Sequence, residues 1–483
     1  VVDADLTDST LVRVGISHQD TEPRGATWGS LPTFYSDGTL TDLPRSQTTA
    51  ADWTYWNSTN QNIFATIRQE FGDRWNLTVN YNRLKNTSAT QLLYLYGTVD
   101  KETGTMDGTN PYKSAGESVQ NSFDAQLKGL VPLFGRDHEV VLGALHSILK
   151  RHTDNYEAPM PWLTDVPVID QEGVPYPEPV WGTTPVRNEQ ERIKQTGYYG
   201  AMRLNIADPF KIILGGRIAS WEQTGYAWGT TSDYGDDNVF IPYVGALYDL
   251  TPNHRVYASY TKIFQPQNLY DRERRLLNPL DGNAYEIGLK SSFFGDALQT
   301  SVALFRIEQD NVGQVDGEPI TVNGLTFQPY RAAQGVVSKG FELEATGQPM
   351  PGWNVNASYS QFKAEDADDV PANTDQPRKL LKIFTTYDLG GALTGLTIGG
   401  GVNYRSKAYS DGNNPVTGDA FRFQQDGYTL VALMARYAVT PQLQLQANVD
   451  NLFDKKFYSN MGSFSQYRYG APRNFTIGAT YRF

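Results

Sequence analysis

Side chains that could carry chemistry are few and scattered in this 483-residue chain, which has no cysteine and five histidines. Only His146 and His152 are close in sequence, and their spacing matches no metal motif. There is no GxSxG nucleophile elbow, and Gly399–Gly401 lies in a strand pattern without the following helix of a nucleotide loop. The sequence therefore predicts a protein that is not an enzyme and that holds no metal or cofactor directly.

Aromatic side chains in long polar connections are better candidates for a binding site. Trp162 and Trp181 flank or lie within a proline-rich stretch, and rigid loops that present aromatic rings suit a bulky, partly apolar ligand. Trp53 and Tyr270 are further candidates. An aromatic girdle at a membrane surface is the alternative reading, especially for Tyr94 and Tyr96. Other aromatic residues in or beside the connections are Trp28, Tyr55, Trp56 and Trp228.

Charged segments give weaker indications. Arg272 lies in the run Asp271–Arg275, which could hold an anionic ligand or could be a solvated loop. The acidic run Glu365–Asp369 lacks the spacing of a calcium loop and is predicted to be a charged loop tip. The net charge of −12 argues against a nucleic-acid partner.

The elements that must position these residues are alternating strands. In the last eleven residues, Phe475, Ile477, Ala479, Tyr481 and Phe483 share one face, and polar residues or glycine occupy the other. A tilted strand needs roughly 9–11 residues to cross a bilayer, so this stretch predicts a membrane strand. The same alternation recurs at 75–82, 353–360 and 443–450. No run of 18 or more apolar residues occurs, which excludes helical spans.

Short turns and long connections alternate along the chain. The turns carry Gly, Pro, Asp or Asn, and the long connections cover approximately 20–59, 99–116, 156–193, 224–238, 265–283, 310–337, 366–378, 409–425 and 451–472. This asymmetry is typical of outer-membrane barrels. We count roughly eighteen strands plus a stub at residues 1–6. Bacterial barrels have an even number of strands, so we expect an all-β antiparallel barrel, residues 1–483, that is truncated at its N-terminus.

Several motifs resemble those of TonB-dependent outer-membrane receptors. They are Val449–Tyr458 with its Asn-Leu-Phe-Asp-Lys sequence, then Tyr469–Thr476 and the terminal Tyr481–Phe483. Further stretches are similar to siderophore receptors of the ferric-coprogen and ferripyoverdine groups: Tyr257–Gln267, Tyr285–Lys290, Phe305–Asn311 and Val337–Glu344.

The resemblance implies a 22-stranded barrel closed by an N-terminal plug, from which this chain lacks the plug, the TonB box and about three strands. It implies uptake of ferric siderophores, with hydroxamates favoured, across the outer membrane of a Gram-negative bacterium. Iron would travel as part of the ligand. TonB–ExbB–ExbD would act through the plug, and the monomeric barrel would contact outer-membrane lipid and lipopolysaccharide.

Other functions stay open at this point. The chain could be a TonB-dependent receptor for cobalamin, ferric citrate or a glycan, or it could be a passive porin. The site residues expected under the favoured hypothesis are Trp53, Trp162, Trp181, Tyr270 and Arg272.

Overall fold

A computed structural model describes residues 1–158, 166–168, 176–316, 320–322, 325–333, 335–463 and 466–482. Its architecture is one antiparallel sheet of twenty strands, of which the two-residue strand Val166–Pro167 is a small outlier. The other nineteen follow one another along the chain. They are β1 Val2–Thr7, β2 Thr10–Thr21, β3 Tyr55–Phe71, β4 Trp75–Val99, β5 Thr105–Leu133, β6 Arg136–Tyr156, β7 Val186–Asn205, β8 Phe210–Ala227, β9 Thr230–Thr251, β10 His254–Gln265, β11 Leu280–Phe293, β12 Leu298–Asp310, β13 Val336–Met350, β14 Trp353–Glu365, β15 Lys379–Asp388, β16 Leu396–Arg405, β17 Tyr428–Ala438, β18 Leu443–Asp450 and β19 Asn474–Tyr481.

Small elements decorate the connections. One 3-10 helix, Gly391–Leu393, lies in a short turn. The short strands outside the main sheet are Leu31–Pro32, Val312–Val315, Ile320–Val322, Leu325–Phe327, Tyr330–Ala333, Ala408–Asn413, Ala420–Gln425, Tyr458–Ser463 and Gln466–Tyr469. Among the described residues, no helix is long and apolar enough to cross a membrane.

The strand count confirms the prediction, because β1 is the stub and eighteen strands follow it. The predicted short turns lie in the nine connections that join an odd-numbered strand to the next even-numbered one, so they are all at one end of the sheet. The nine remaining connections lie at the other end, which we call the mouth. Two of them are much shorter than predicted: β4 and β5 are separated only by residues 100–104, and β8 and β9 only by 228–229. Strand pairing continues through the polar residues there, because backbone hydrogen bonding does not require an apolar face.

The two faces of the sheet differ in polarity, because successive side chains of a strand point to opposite faces. The outward face exposes large apolar side chains, for example Ile477 at 83% and Leu304 at 56%. The inward face carries amides, hydroxyls and charges, such as the Asn82 amide that donates to Asn62. Apolar outward and polar inward is the pattern of a barrel wall in lipid.

Buried apolar residues gather at the mouth. One cluster contains Leu93, Leu95, Val99 and Met106 from the top of the β4–β5 hairpin, covered by loop residues such as Tyr176. The second cluster joins Leu31 and Leu43 to Phe423 and Tyr467. Leu93 and Leu95 lie on the same face of β4 as Tyr81, which is 39% exposed on the outward side of the sheet. The outward row of β4 is therefore open lower down and covered by loops at the mouth.

Within the described residues, β1 pairs only with β2 and β19 only with β18. The loops above these two ends nevertheless meet. Leu31–Pro32 forms backbone pairs with Gln466 and Tyr467. The sheet therefore curves round far enough for the β2–β3 connection to pair with the β18–β19 connection at the mouth.

Candidate ligand-binding mouth

Four aromatic rings form a chain on the inward side of the mouth; we call it the inner aromatic belt. The Trp28 ring centroid lies 5.6 Å from that of Tyr94 and 5.0 Å from that of Tyr112. Tyr112 in turn lies 6.0 Å from Trp228. Tyr94 and Tyr112 occupy inward positions of β4 and β5, so strand register aims both rings over the opening.

Backbone and side-chain contacts hold the belt in place. The Tyr112 hydroxyl donates to Asn155 Oδ1 at 3.0 Å. Trp228 sits in the tight β8–β9 turn with a positive φ of 51°, and its amide donates to the Asn188 carbonyl. Its side chain remains 57% exposed. The belt therefore presents aromatic surface to the opening while its backbone is fixed.

A charged network continues along the inner wall beside the belt. Arg151 contacts two carboxylates, Glu189 at 2.9 Å and Glu191. Glu191 is only 5% exposed, and it also accepts hydrogen bonds from Gln223 at 2.8 Å and Ser232 at 3.3 Å. A buried carboxylate is stable only with such partners, so this network is a rigid part of the wall.

A second aromatic pair lies next to this network. The rings of Trp221 and Tyr234 are 5.1 Å apart, and the Tyr234 hydroxyl donates to Gln223 at 3.1 Å. Tyr270 lies close enough to interact electrostatically with Tyr234 and Glu191. Burial raises the pKa of the Tyr270 hydroxyl, and the nearby Glu191 charge adds to this while Arg274 opposes it. Tyr270, predicted from the sequence, therefore lies within electrostatic range of the inner wall.

Arg272 is engaged within the protein. Its guanidinium Nε lies 3.0 Å from Asp316 Oδ2, and its second nitrogen donates to the Asp316 carbonyl at 2.6 Å. The pair connects the loop after β10 to the loop after β12. An anionic ligand would have to compete with Asp316 for this side chain.

Trp53 and Trp181 contact each other but lie on the other side of the mouth. Their ring centroids are 6.0 Å apart in an edge-to-face arrangement. Trp53 packs on the first buried cluster, and its indole donates to the Tyr176 carbonyl at 3.0 Å. Trp181 lies near the ammonium of Lys113, which occupies an outward position of β5. Trp162 lies outside the described residues.

A loop clasp joins the first and last connections above the sheet; its main residues are Leu31, Arg45, Asp454, Gln466 and Tyr467. Arg45 pairs with Asp454 at 2.6 Å. Gln466, 3% exposed, donates to the Leu95 carbonyl at 2.8 Å and accepts from the Ser30 amide at 2.5 Å. The Arg45 guanidinium, with the Arg473 amide, lowers the pKa of the Asp454 carboxyl to about 2.

These features are of the kind that a ligand-binding surface requires. Aromatic rings supply apolar contact area, and fixed polar groups beside them supply direction. Within the described residues, no group of three or more His, Asp or Glu side chains is placed to hold a metal ion. Tyr112, Trp221 and Tyr234 were not predicted as site residues. The inward parity of Tyr112 and Tyr234, in strands that continue past the predicted loop boundaries, was the signal that could have identified those two.

Known proteins of one kind match most of this chain. A family model described as "TonB dependent receptor-like, beta-barrel" matches residues 4–452. The ferripyoverdine receptor of Pseudomonas aeruginosa is 33% identical over 506 residues, covering 100% of this chain and 59% of that receptor. The ferrioxamine B receptor of Salmonella typhimurium is 27% identical over 390 residues, covering 77% of this chain and 52% of that receptor.

A solved structure is also very similar. It is the pyoverdine outer-membrane receptor of Pseudomonas aeruginosa PAO1 bound to pyoverdine, with a TM-score of 0.91 and 33% identity. The alignment covers 100% of this chain and 70% of that one. The chain spans about three fifths of the length of the ferripyoverdine receptor to which it is similar.

Proposed function

The chain belongs to the TonB-dependent receptor β-barrel family, and we propose that it is the barrel of an outer-membrane receptor that takes up ferric siderophores. The observation that carries the proposal is the inner aromatic belt over the opening of this barrel. A ferric chelate is bulky and partly apolar, so aromatic faces and a few fixed polar groups are suitable partners for it. The receptors named above for pyoverdine and ferrioxamine B support this ligand class.

The proposed mechanism has a binding step and an opening step. The chelate binds at the mouth to the belt, with Tyr270 and the Trp221–Tyr234 pair on the adjoining wall. Energy supplied by TonB then opens a path through the barrel, and no covalent bond is made or broken. Iron enters as part of the chelate and is cargo. We propose hydroxamates as the chelate class, because Tyr257–Gln267 and its companion motifs resemble receptors of that class.

For three of the other residues predicted from the sequence, we propose a role different from ligand binding. Arg272 binds an anionic chelate only if Asp316 is displaced, so we propose that its main role is to hold two loops together. Trp53 and Trp181 face away from the opening, so we propose that they stabilise the loops that surround the belt. Trp162 stays a predicted ligand contact.

Whole-cell uptake tests the function. Cells that lack their own siderophore receptors and express the complete receptor should accumulate iron-55 from a ferric hydroxamate, and cells that also lack TonB should not. Cobalamin, ferric citrate and a glycan serve as the comparison panel. Uptake of one of these instead of any ferric siderophore would contradict the substrate class, and uptake that is independent of TonB would indicate a porin.

Binding variants test the site. Tyr112→Ala should weaken binding of the transported chelate by about tenfold or more, which corresponds to loss of about 1.4 kcal/mol. Tyr112→Phe keeps the ring and should bind nearly as well as the parent. Trp181→Ala is the matched control on the outer side. If Trp181→Ala weakens binding and Tyr112→Ala does not, the ligand contacts the predicted outer pair rather than the inner belt.

A further inference from the structure

An apolar groove crosses the outward face of the sheet at its short-turn end. It spans five neighbouring strands, β14 to β18, and has a volume of about 700 Å³. Trp353, Tyr387 and Ile398 border it on the turn side, and Leu433 and Val449 border it on the mouth side. None of its twelve lining residues is charged.

Small residues produce the depth of this groove. Ala435 and Ala447 are directly opposed on β17 and β18, and both point outward. Gly400 has no side chain, and a Cβ there would lie 2.9 Å from the Ala432 carbonyl oxygen. The row of side chains that covers the backbone elsewhere on this face is therefore missing along the groove floor.

The Trp353 indole and the Thr385 hydroxyl at the groove edge already have hydrogen-bond partners. The Trp353 indole donates to the Thr385 hydroxyl at 2.8 Å, and that hydroxyl donates to the Asn354 carbonyl at 2.9 Å. A partner that needs hydrogen bonds would gain none from this pair. A hydrocarbon chain needs only apolar contact, which the groove supplies.

We propose that this groove binds an acyl chain of a phospholipid from the periplasmic leaflet of the outer membrane. The groove is continuous with the exposed apolar band of the outward face, which includes Leu433 at 46% exposure and Ile477 at 83%. Four inter-strand spacings of about 4.8 Å make it about 19 Å long, which accommodates an extended chain. Trp353 and Tyr387 lie beside short turns, as aromatic residues do at the headgroup level.

The orientation of the lipid follows from these positions. Short turns are periplasmic in outer-membrane barrels, so the headgroup lies near Trp353 and the chain extends toward Ala447. The inference rests on the proposed outer-membrane location and is independent of the siderophore. A second copy of the chain is the competing occupant.

Two matched double variants test the proposal. Ala435→Phe with Ala447→Phe fills the groove. Ala246→Phe with Ala258→Phe is the control, because these alanines are also directly opposed on neighbouring strands, point outward and do not line the groove. Each complete receptor is purified in detergent, stripped of loosely bound lipid, titrated with phosphatidylethanolamine and weighed by native mass spectrometry. Heat-modifiable mobility on a gel verifies that each barrel is folded.

We expect the parent and the control to hold one phosphatidylethanolamine per chain, and the filled variant to bind it at least about tenfold more weakly. The proposal is overturned if the parent holds no lipid, if the filled variant binds as well as the control, or if the parent is a dimer that the filled variant abolishes. Ferric-siderophore uptake is measured in the same cells. Loss of lipid with normal uptake supports the groove alone, and loss of uptake in all three proteins contradicts the transport function and not the groove.

Discussion

The wall and the mouth of this molecule are stabilised by opposite arrangements of apolar residues. On the wall, large side chains such as Leu304 point outward and stay exposed, and the strands are held together by backbone pairing. At the mouth, side chains such as Leu95 and Tyr467 are each only 1% exposed. The wall therefore relies on the surrounding lipid for its apolar contacts. The mouth contains its own core, as a soluble domain does.

This difference has a consequence for function. A binding surface must keep its side chains in place, and loops alone seldom do so. The two buried clusters and the loop clasp provide that rigidity above the sheet. Substitutions on the wall and at the mouth should consequently affect different properties of the receptor.

The largest contrast should come from one substitution made in both regions. Leu95→Ala removes a fully buried side chain and should cost about 2–5 kcal/mol of loop-layer stability, because a cavity remains. Leu304→Ala, on the lipid-facing wall, should cost well under that because detergent or lipid fills the space. Hydrogen exchange of loop and strand amides measures both. Equal costs at the two sites would contradict the separation of mouth and wall.

An added charge should be tolerated much less well on the outward face of the wall than on its inward face. Leu304→Arg places a guanidinium in the apolar band and should destabilise the barrel by about 2–4 kcal/mol if the site lies near the bilayer midplane. Ser301→Arg, on the inward face where Glu344 already accepts a hydrogen bond from Ser301, should be tolerated. Folding yield into lipid vesicles measures the effect. Similar yields for both variants would show that Leu304 does not contact lipid.

Removal of a side-chain hydrogen-bond partner should also cost more stability at the mouth than on the wall, by a smaller difference. Gln466→Ala leaves the buried Leu95 carbonyl and Ser30 amide without their partner, and it should cost about 1–3 kcal/mol. Asn82→Ala removes a bond to Asn62 on the inward wall, where water can replace it, so the cost should be under about 1 kcal/mol. Protease sensitivity of the loops should rise only in the first variant. A rise in the second would mean that the inner wall is as dry as the clasp.

The wall can be predicted from the sequence because the residues that determine each hairpin are close together along the chain. Alternation over eight residues and a Gly, Pro, Asp or Asn in each turn are sufficient to place the hairpins. The mouth depends on distant partners: Thr41 and Tyr467, whose hydroxyls lie 3.1 Å apart, are separated by 426 positions. The alternation of side chains along strands also could not show that Trp53 and Trp181, which lie in connections, face outward. Their direction depends on loop packing against β5, which no local pattern encodes.

The smallest effect should be the response of the clasp to acid. The Arg45 guanidinium and the Arg473 amide hold the pKa of Asp454 at about 2, below the value of about 3.9 for an unfolded aspartate. A lowered pKa stabilises the folded state, and this contribution is complete above about pH 4 and disappears as the pH falls through about 2.

Near-ultraviolet circular dichroism of the tyrosines around Tyr467 should follow this titration. The partly exposed pair contributes little, so the change should be a slight loss of signal between pH 4 and pH 2. Asp454→Asn is the matched control: it can still accept the Arg473 amide, but it cannot titrate, so its signal should change less over the same range. Superimposable titrations of the two proteins would mean that the Arg45–Asp454 pair does not hold the clasp, and that the buried contacts of Tyr467 and Gln466 alone join the first and last connections.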